Sequence, residues 1–148
     1  ASDVYKRQAV MIFTACTGFF ILFNVHDWGS FLCAVGGVAT WMSYLLLREL
    51  GVGIYGMNFF ASVVAAVYSE GMARSRKYPV TSYLVISSIP LLPGAGIYYT
   101  MSFGLEGNMQ AALQKGLETA GIAGSIAVAI LLVSTVFRLV TSQRGRKK

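Results

Sequence analysis

Ser87-Ser88-Ile89-Pro90-Leu91-Leu92-Pro93-Gly94-Ala95-Gly96-Ile97-Tyr98-Tyr99-Thr100-Met101 interrupts a stretch, 80–105, that contains no Asp, Glu, Lys or Arg. Each proline lacks an N–H, and its ring crowds the carbonyl four residues back, so a continuous helix is not expected through 90–96. Gly94 and Gly96 permit backbone angles and close approaches that a Cβ resists. In a water-soluble chain this would read as a loop. Inside a hydrocarbon-soluble segment it exposes backbone polar groups where no water can pair them. Such backbone persists at membrane depth only when protein or a wet cavity covers it.

The surrounding composition is that of a membrane protein. The 148 residues are 55% hydrophobic and 12% charged, against roughly 25% charged in an average soluble domain. Segments 9–25 and 28–47 also lack charge; 55–73 holds only Glu70, and 116–140 only Glu118 and Arg138, near its ends. A spanning helix needs about 20 apolar residues. The expected architecture is therefore all-α: one integral membrane domain, 1–148, with spans near 9–25, 28–47, 55–73, 80–105 and 112–140, the fourth broken, and a basic tail, 141–148. Lys6-Arg7 before an apolar run, with Phe13-Thr14-Ala15-Cys16, faintly suggests a lipoprotein signal, but the run before Cys16 is shorter than an h-region of about 7–15 residues.

The net charge of +6 does not point to nucleic acid, because the cations flank apolar segments and no aromatics interleave them. Positive-inside bias and anionic lipid explain the pattern. With five spans, Lys6, Arg7, Arg48 and Lys115 share one side; Arg74, Arg76, Lys77, Arg138, Arg144, Arg146, Lys147 and Lys148 share the other. The expected orientation is N-outside and C-inside. Cys16 and Cys33 both fall within spans and read as small packing residues. Small residues recur at i+4 spacing as Ala61, Ala65 and Ser69, and as Gly116, Ala120 and Gly124, which lets helix backbones approach closely. Trp28, Tyr55 and Tyr78 fall at span ends, as interfacial aromatics do.

From Phe23-Asn24-Val25 through Arg138 the chain resembles the C-terminal, five-span half of the bacterial threonine/serine exporter family. The pattern that carries the resemblance is Pro90-Leu91-Leu92-Pro93-Gly94 followed by Tyr98 and Met101, similar to the family's Pro-x-x-Pro-Gly-x-x-x-Tyr-x-x-Met. Glu70 with Arg74 at the end of the third span, and Pro79 leading into the fourth, support it. The resemblance implies a secondary exporter of small hydroxy amino acids driven by proton antiport in the bacterial cytoplasmic membrane. It also implies a companion five-span half, with which this chain would form an inverted repeat, and a C-terminus in the cytoplasm. Some two-chain members are associated with export of succinate or other dicarboxylates, so that substrate stays open.

Inverted repeats of this kind hold their substrates at broken helices. A half-helix beginning after Pro93-Gly94 would leave its first N–H groups unpaired, and the partial positive charge there suits a carboxylate. The expected substrate site is Pro90, Pro93, Gly94 and Gly96, with hydroxyls from Ser87, Tyr98 and Ser102. The alternative is a kinked helix whose freed carbonyls are satisfied by its neighbours. For proton coupling, Glu70 and Glu118 are the acids within apolar sequence. Each also has a plain reading: Glu70 as an i,i+4 pair with Arg74, and Glu118 as an acid complementing a helix start. His26 and Asp27 fit a solvated turn. No zincin motif, nucleophile elbow or phosphate loop is present, so no enzyme activity, cofactor or metal is expected. The remaining alternative is a non-transporting assembly or regulatory subunit; self-association into a homo-oligomer stays open.

Overall fold

The computed structural model describes residues 2–22, 29–76 and 79–145. Every regular element among them is helical: α1 (Ser2–Leu22), α2 (Gly29–Glu49), α3 (Ile54–Arg76), α4 (Val80–Ser88), a 3-10 turn (Ile89–Leu91), α5 (Gly94–Leu105) and α6 (Met109–Gly145). The Phe23-Asn24-Val25 turn, His26, Asp27, Trp28, Lys77, Tyr78, Arg146, Lys147 and Lys148 lie outside the described residues.

Turn chemistry sets the helix ends. Gly51 takes φ +72°, a left-handed angle that closes α2, while the Val52 N–H donates back to Leu47 O at 3.2 Å. Gly107 takes φ +78° after α5, and the Asn108 N–H reaches Phe103 O at 2.9 Å. Both are glycine C-caps that satisfy carbonyls left open by the last turn. Asn108 then starts the next helix: its Oδ1 accepts the Ala111 N–H at 3.2 Å, an N-cap bond. One short connection thus folds α5 directly back onto α6.

The expected break is present but narrower than 90–96. Pro90 is taken up in the 3-10 turn, and only Leu92 (ψ 127°) and Pro93 (ψ 50°) leave helical geometry. The helical stretches Val80–Leu91 and Gly94–Leu105 bend 55° across this joint. Gly94 and Gly96 therefore lie within α5, and neither supplies an unusual backbone angle. The prolines fit the joint: Pro93 ends the first stretch and, with no N–H to satisfy, fits the start of the second.

In the packing order α3 is central, contacting α2, α4 and α6, while α1 lies on α2 and α5 on α6. Cys16, Cys33, Ala34, Ala73, Tyr83 and Ile86 form one apolar cluster joining α1, α2, α3 and α4; both cysteines in it are free thiols. Ala61, Leu91 and Ile126 form another, joining α3, the 3-10 turn and α6. The Ala61, Ala65 and Ser69 stripe is fully buried, as small residues at a close crossing should be. The stripe on α6 is used differently: Gly116 faces Thr100 of α5, and nothing lies near Gly124.

By length and composition α6 is suited to cross a bilayer, the most apolar 18-residue window within Met109–Thr141 having a mean hydropathy of 2.3, and the bent pair meets the same test when taken together. Among the described residues, α1, α2 and α3 do not meet it. α1 opens with Asp3, Lys6 and Arg7, and α3 carries Glu70, Arg74 and Arg76. The all-helical order stands, and five crossings are not established by these helices themselves.

Candidate substrate site at the helix break

The joint between the 3-10 turn and α5 opens into a cavity of about 290 Å³, at the small end of the roughly 300–1,000 Å³ typical of small-molecule sites. Pro90, Leu91, Leu92 and Pro93 form one wall, and Ala95 and Gly96 continue it along the first turn of α5. Trp41 and Tyr44 of α2 face them, their rings stacked at 5.2 Å. α3 contributes Ile54 and Asn58; α6 contributes Lys115, Glu118, Thr119 and Ile122.

At this wall α5 has no side-chain cap. The Gly94 N–H donates to Leu92 O at 2.8 Å and the Ile97 N–H to Pro93 O at 3.1 Å. Ala95 and Gly96, between them, have no such loop partner among the described residues, as first-turn N–H groups do not. Both residues line the cavity. The positive end of the α5 dipole is therefore next to it.

The polar floor comes from α6. Lys115 Nζ donates to Glu118 Oε2 at 3.0 Å, and each side chain is 34% exposed. Thr119 Oγ1 donates to Lys115 O at 2.7 Å, which turns the Thr119 methyl and hydroxyl towards α5. A Cβ placed on Gly96 would collide with Thr119 Oγ1. The absent side chain at 96 thus sets how closely the two helices approach beside the cavity. Asn58 Nδ2 is committed to Ile54 O at 2.8 Å, which fixes the amide on the opposite side.

The expected site residues divide. Pro90, Pro93, Gly96 and Glu118 line the cavity. Gly94 adjoins it, and a Cβ there would meet nothing within 4 Å. Ser87 is 0% exposed, and its Oγ lies where a Cβ on Gly36 of α2 would have to go; it has no hydrogen-bond partner among the described residues. Tyr98 is 67% exposed on the outer side of α5, edge-on to Tyr99 at 5.5 Å. The Ser102 hydroxyl donates to Glu106 Oε1 at 3.0 Å, at the far end of α5. Ser87, Tyr98 and Ser102 therefore do not meet in this cavity. Trp41, Tyr44, Asn58, Lys115 and Thr119 do, and none was singled out from sequence. The signal available was a lysine and an acid one helical turn apart at the start of the longest apolar run.

Glu70 lies elsewhere. It is 7% exposed, and Arg74 Nη2 reaches its Oε2 at 3.3 Å. The same guanidinium reaches Phe137 O at 3.4 Å, bonds Thr141 Oγ1 and sits 5.0 Å from the centre of the Phe137 ring. One arginine thereby ties the end of α3 to the end of α6 and neutralises a buried acid.

Comparison with known proteins bears on this geometry. The family model described as Threonine/Serine exporter, ThrE, matches residues 8–136. The chain belongs to the threonine/serine exporter family. The match takes in most of α1, all of α2 to α5, the joint, the cavity and most of α6, and begins upstream of Phe23. Membership makes this a membrane protein of the transporter type. No curated protein and no solved structure matches the chain.

Proposed function

We propose that this chain is the membrane subunit of a secondary exporter that moves threonine and serine by proton antiport. It acts with a companion five-span half in the bacterial cytoplasmic membrane, with its own C-terminus in the cytoplasm. The observation that carries this reading is the cavity at the 55° joint, polar on its α6 side and bordered by the open end of α5. A broken helix beside a metabolite-sized cavity is how many carriers hold substrate. The five helical segments among the described residues, counting the bent pair as one, support this reading. Of the two candidate coupling acids, Glu118 lines the cavity, whereas Glu70 is paired with Arg74 away from it.

Efflux from proteoliposomes loaded with labelled threonine or succinate tests this, using the chain alone and with its companion half under an imposed proton gradient. Gradient-dependent threonine efflux that requires the companion is the expected result. Succinate moving in place of threonine would overturn the substrate, and efflux by the chain alone would overturn the half-transporter arrangement.

A further inference from the structure

Two opposite charges line the cavity at the break, whereas the neighbouring cavities along α5 and α6 are lined only by apolar residues and threonine. Resting on the exporter reading above, we infer that Lys115 and Glu118 are specificity-determining residues. Their ion pair opens to take the carboxylate and the ammonium of a zwitterionic amino acid. Lys115, together with the positive end of α5 at Ala95 and Gly96, receives the carboxylate; Glu118 receives the ammonium.

Charge balance selects the ligand class. The Lys115–Glu118 pair is neutral, so a net-neutral zwitterion can insert between the two groups and leave every charge with an opposite partner. A dicarboxylate brings two negative charges to one lysine and sets the second beside Glu118. Like charges set side by side repel, and a charge left without an opposite partner loses the attraction it had in the pair. The pair is also suited to exchange partners. It joins neighbouring turns of one helix, with both side chains one-third exposed towards the cavity, and such pairs are held weakly.

The probe is 3-hydroxybutyrate, which keeps the carbon chain, carboxylate and hydroxyl of threonine but lacks the ammonium. Proteoliposomes holding the chain and its companion half are loaded with labelled threonine or 3-hydroxybutyrate, and efflux is compared for wild type, Glu118→Gln, Lys115→Gln and the reversed pair K115E/E118K. The wild type should prefer threonine. Glu118→Gln should raise the threonine KM and reduce the threonine to 3-hydroxybutyrate ratio by about tenfold or more, the worth of one charge-assisted hydrogen bond. Lys115→Gln should weaken efflux of both. The reversed pair keeps an ion pair on α6 but puts the negative group beside the carboxylate position, so it should not restore threonine efflux. An unchanged selectivity ratio in Glu118→Gln, or full rescue by the reversed pair, overturns the inference and leaves the exporter reading standing. Wild-type vesicles that do not move threonine overturn both.

Discussion

Gly96 and Arg74 are the two residues at which single substitutions should be most informative. Gly96→Ala places a methyl group against Thr119 Oγ1, which is itself held by Lys115 O. Overpacking of this kind costs about 1–3 kcal/mol, and it should push α5 away from α6 beside the cavity. We expect reduced threonine efflux and a lower thermal midpoint in detergent, with both partly restored by adding Thr119→Ala. A Gly96→Ala protein as active and as stable as wild type would show that the helices separate freely there. Arg74→Ala should act at the other end of the molecule by leaving Glu70 buried without its cation. Because the arginine is itself partly exposed, a loss of about 1–3 kcal/mol is expected, read from detergent melting. Glu70→Gln added to Arg74→Ala should recover part of it, since the stranded charge is then gone.

Among the helices, the joint at Leu92-Pro93 invites the most direct test. Replacing Pro90 and Pro93 together with alanine restores two N–H donors and removes the ring clashes, so α4 and α5 should align into one straighter helix. Spin labels near Ser82 and Ser102 should then move apart in a pulsed dipolar measurement, and threonine efflux should fall at least tenfold. An unchanged distance would mean that packing against α6, rather than proline, sets the bend. The joint was legible in the sequence because a missing N–H is a property of one residue. So was the buried Ala61, Ala65 and Ser69 stripe, because its spacing lies within one helix. The side chains around the cavity were not. Trp41, Asn58 and Lys115 come from three helices that are apolar on most sides, and such helices do not announce which face meets which. Tyr98 follows the break by only a few residues, and the helical step carries it round to the exposed side of α5. Lys115 entered the sequence reading only as a loop charge, while its partner Glu118 was read as a proton-coupling acid.

Taken together, the two ends of the bundle differ. Ile54 and Asn58 lie in the first turns of α3, and Lys115 and Glu118 early in α6, so the cavity lies towards the end where short turns join α2 to α3 and α5 to α6. At the opposite end, Arg74 fastens α3 to Phe137 and Thr141. If the C-terminus is cytoplasmic, the cavity belongs to the outer half of the membrane and the arginine tie to the inner half. Single cysteines at Gly53 and Thr141, in a background with Cys16 and Cys33 replaced, should therefore react with impermeant thiol reagents from opposite sides. Labelling of both from the same side would refute the five-span parity. Finally, α6 is longer than this arrangement requires. The 33 residues of Met109–Thr141 extend about 50 Å at 1.5 Å per residue, while a hydrocarbon core is about 30 Å thick. The excess has to be absorbed by tilt, by projection beyond the lipid or by local thickening of the bilayer. Because α5 folds straight back onto α6, any change in that tilt is transmitted to the joint. Export is then expected to depend on acyl-chain length, which makes bilayer thickness a working condition of this protein.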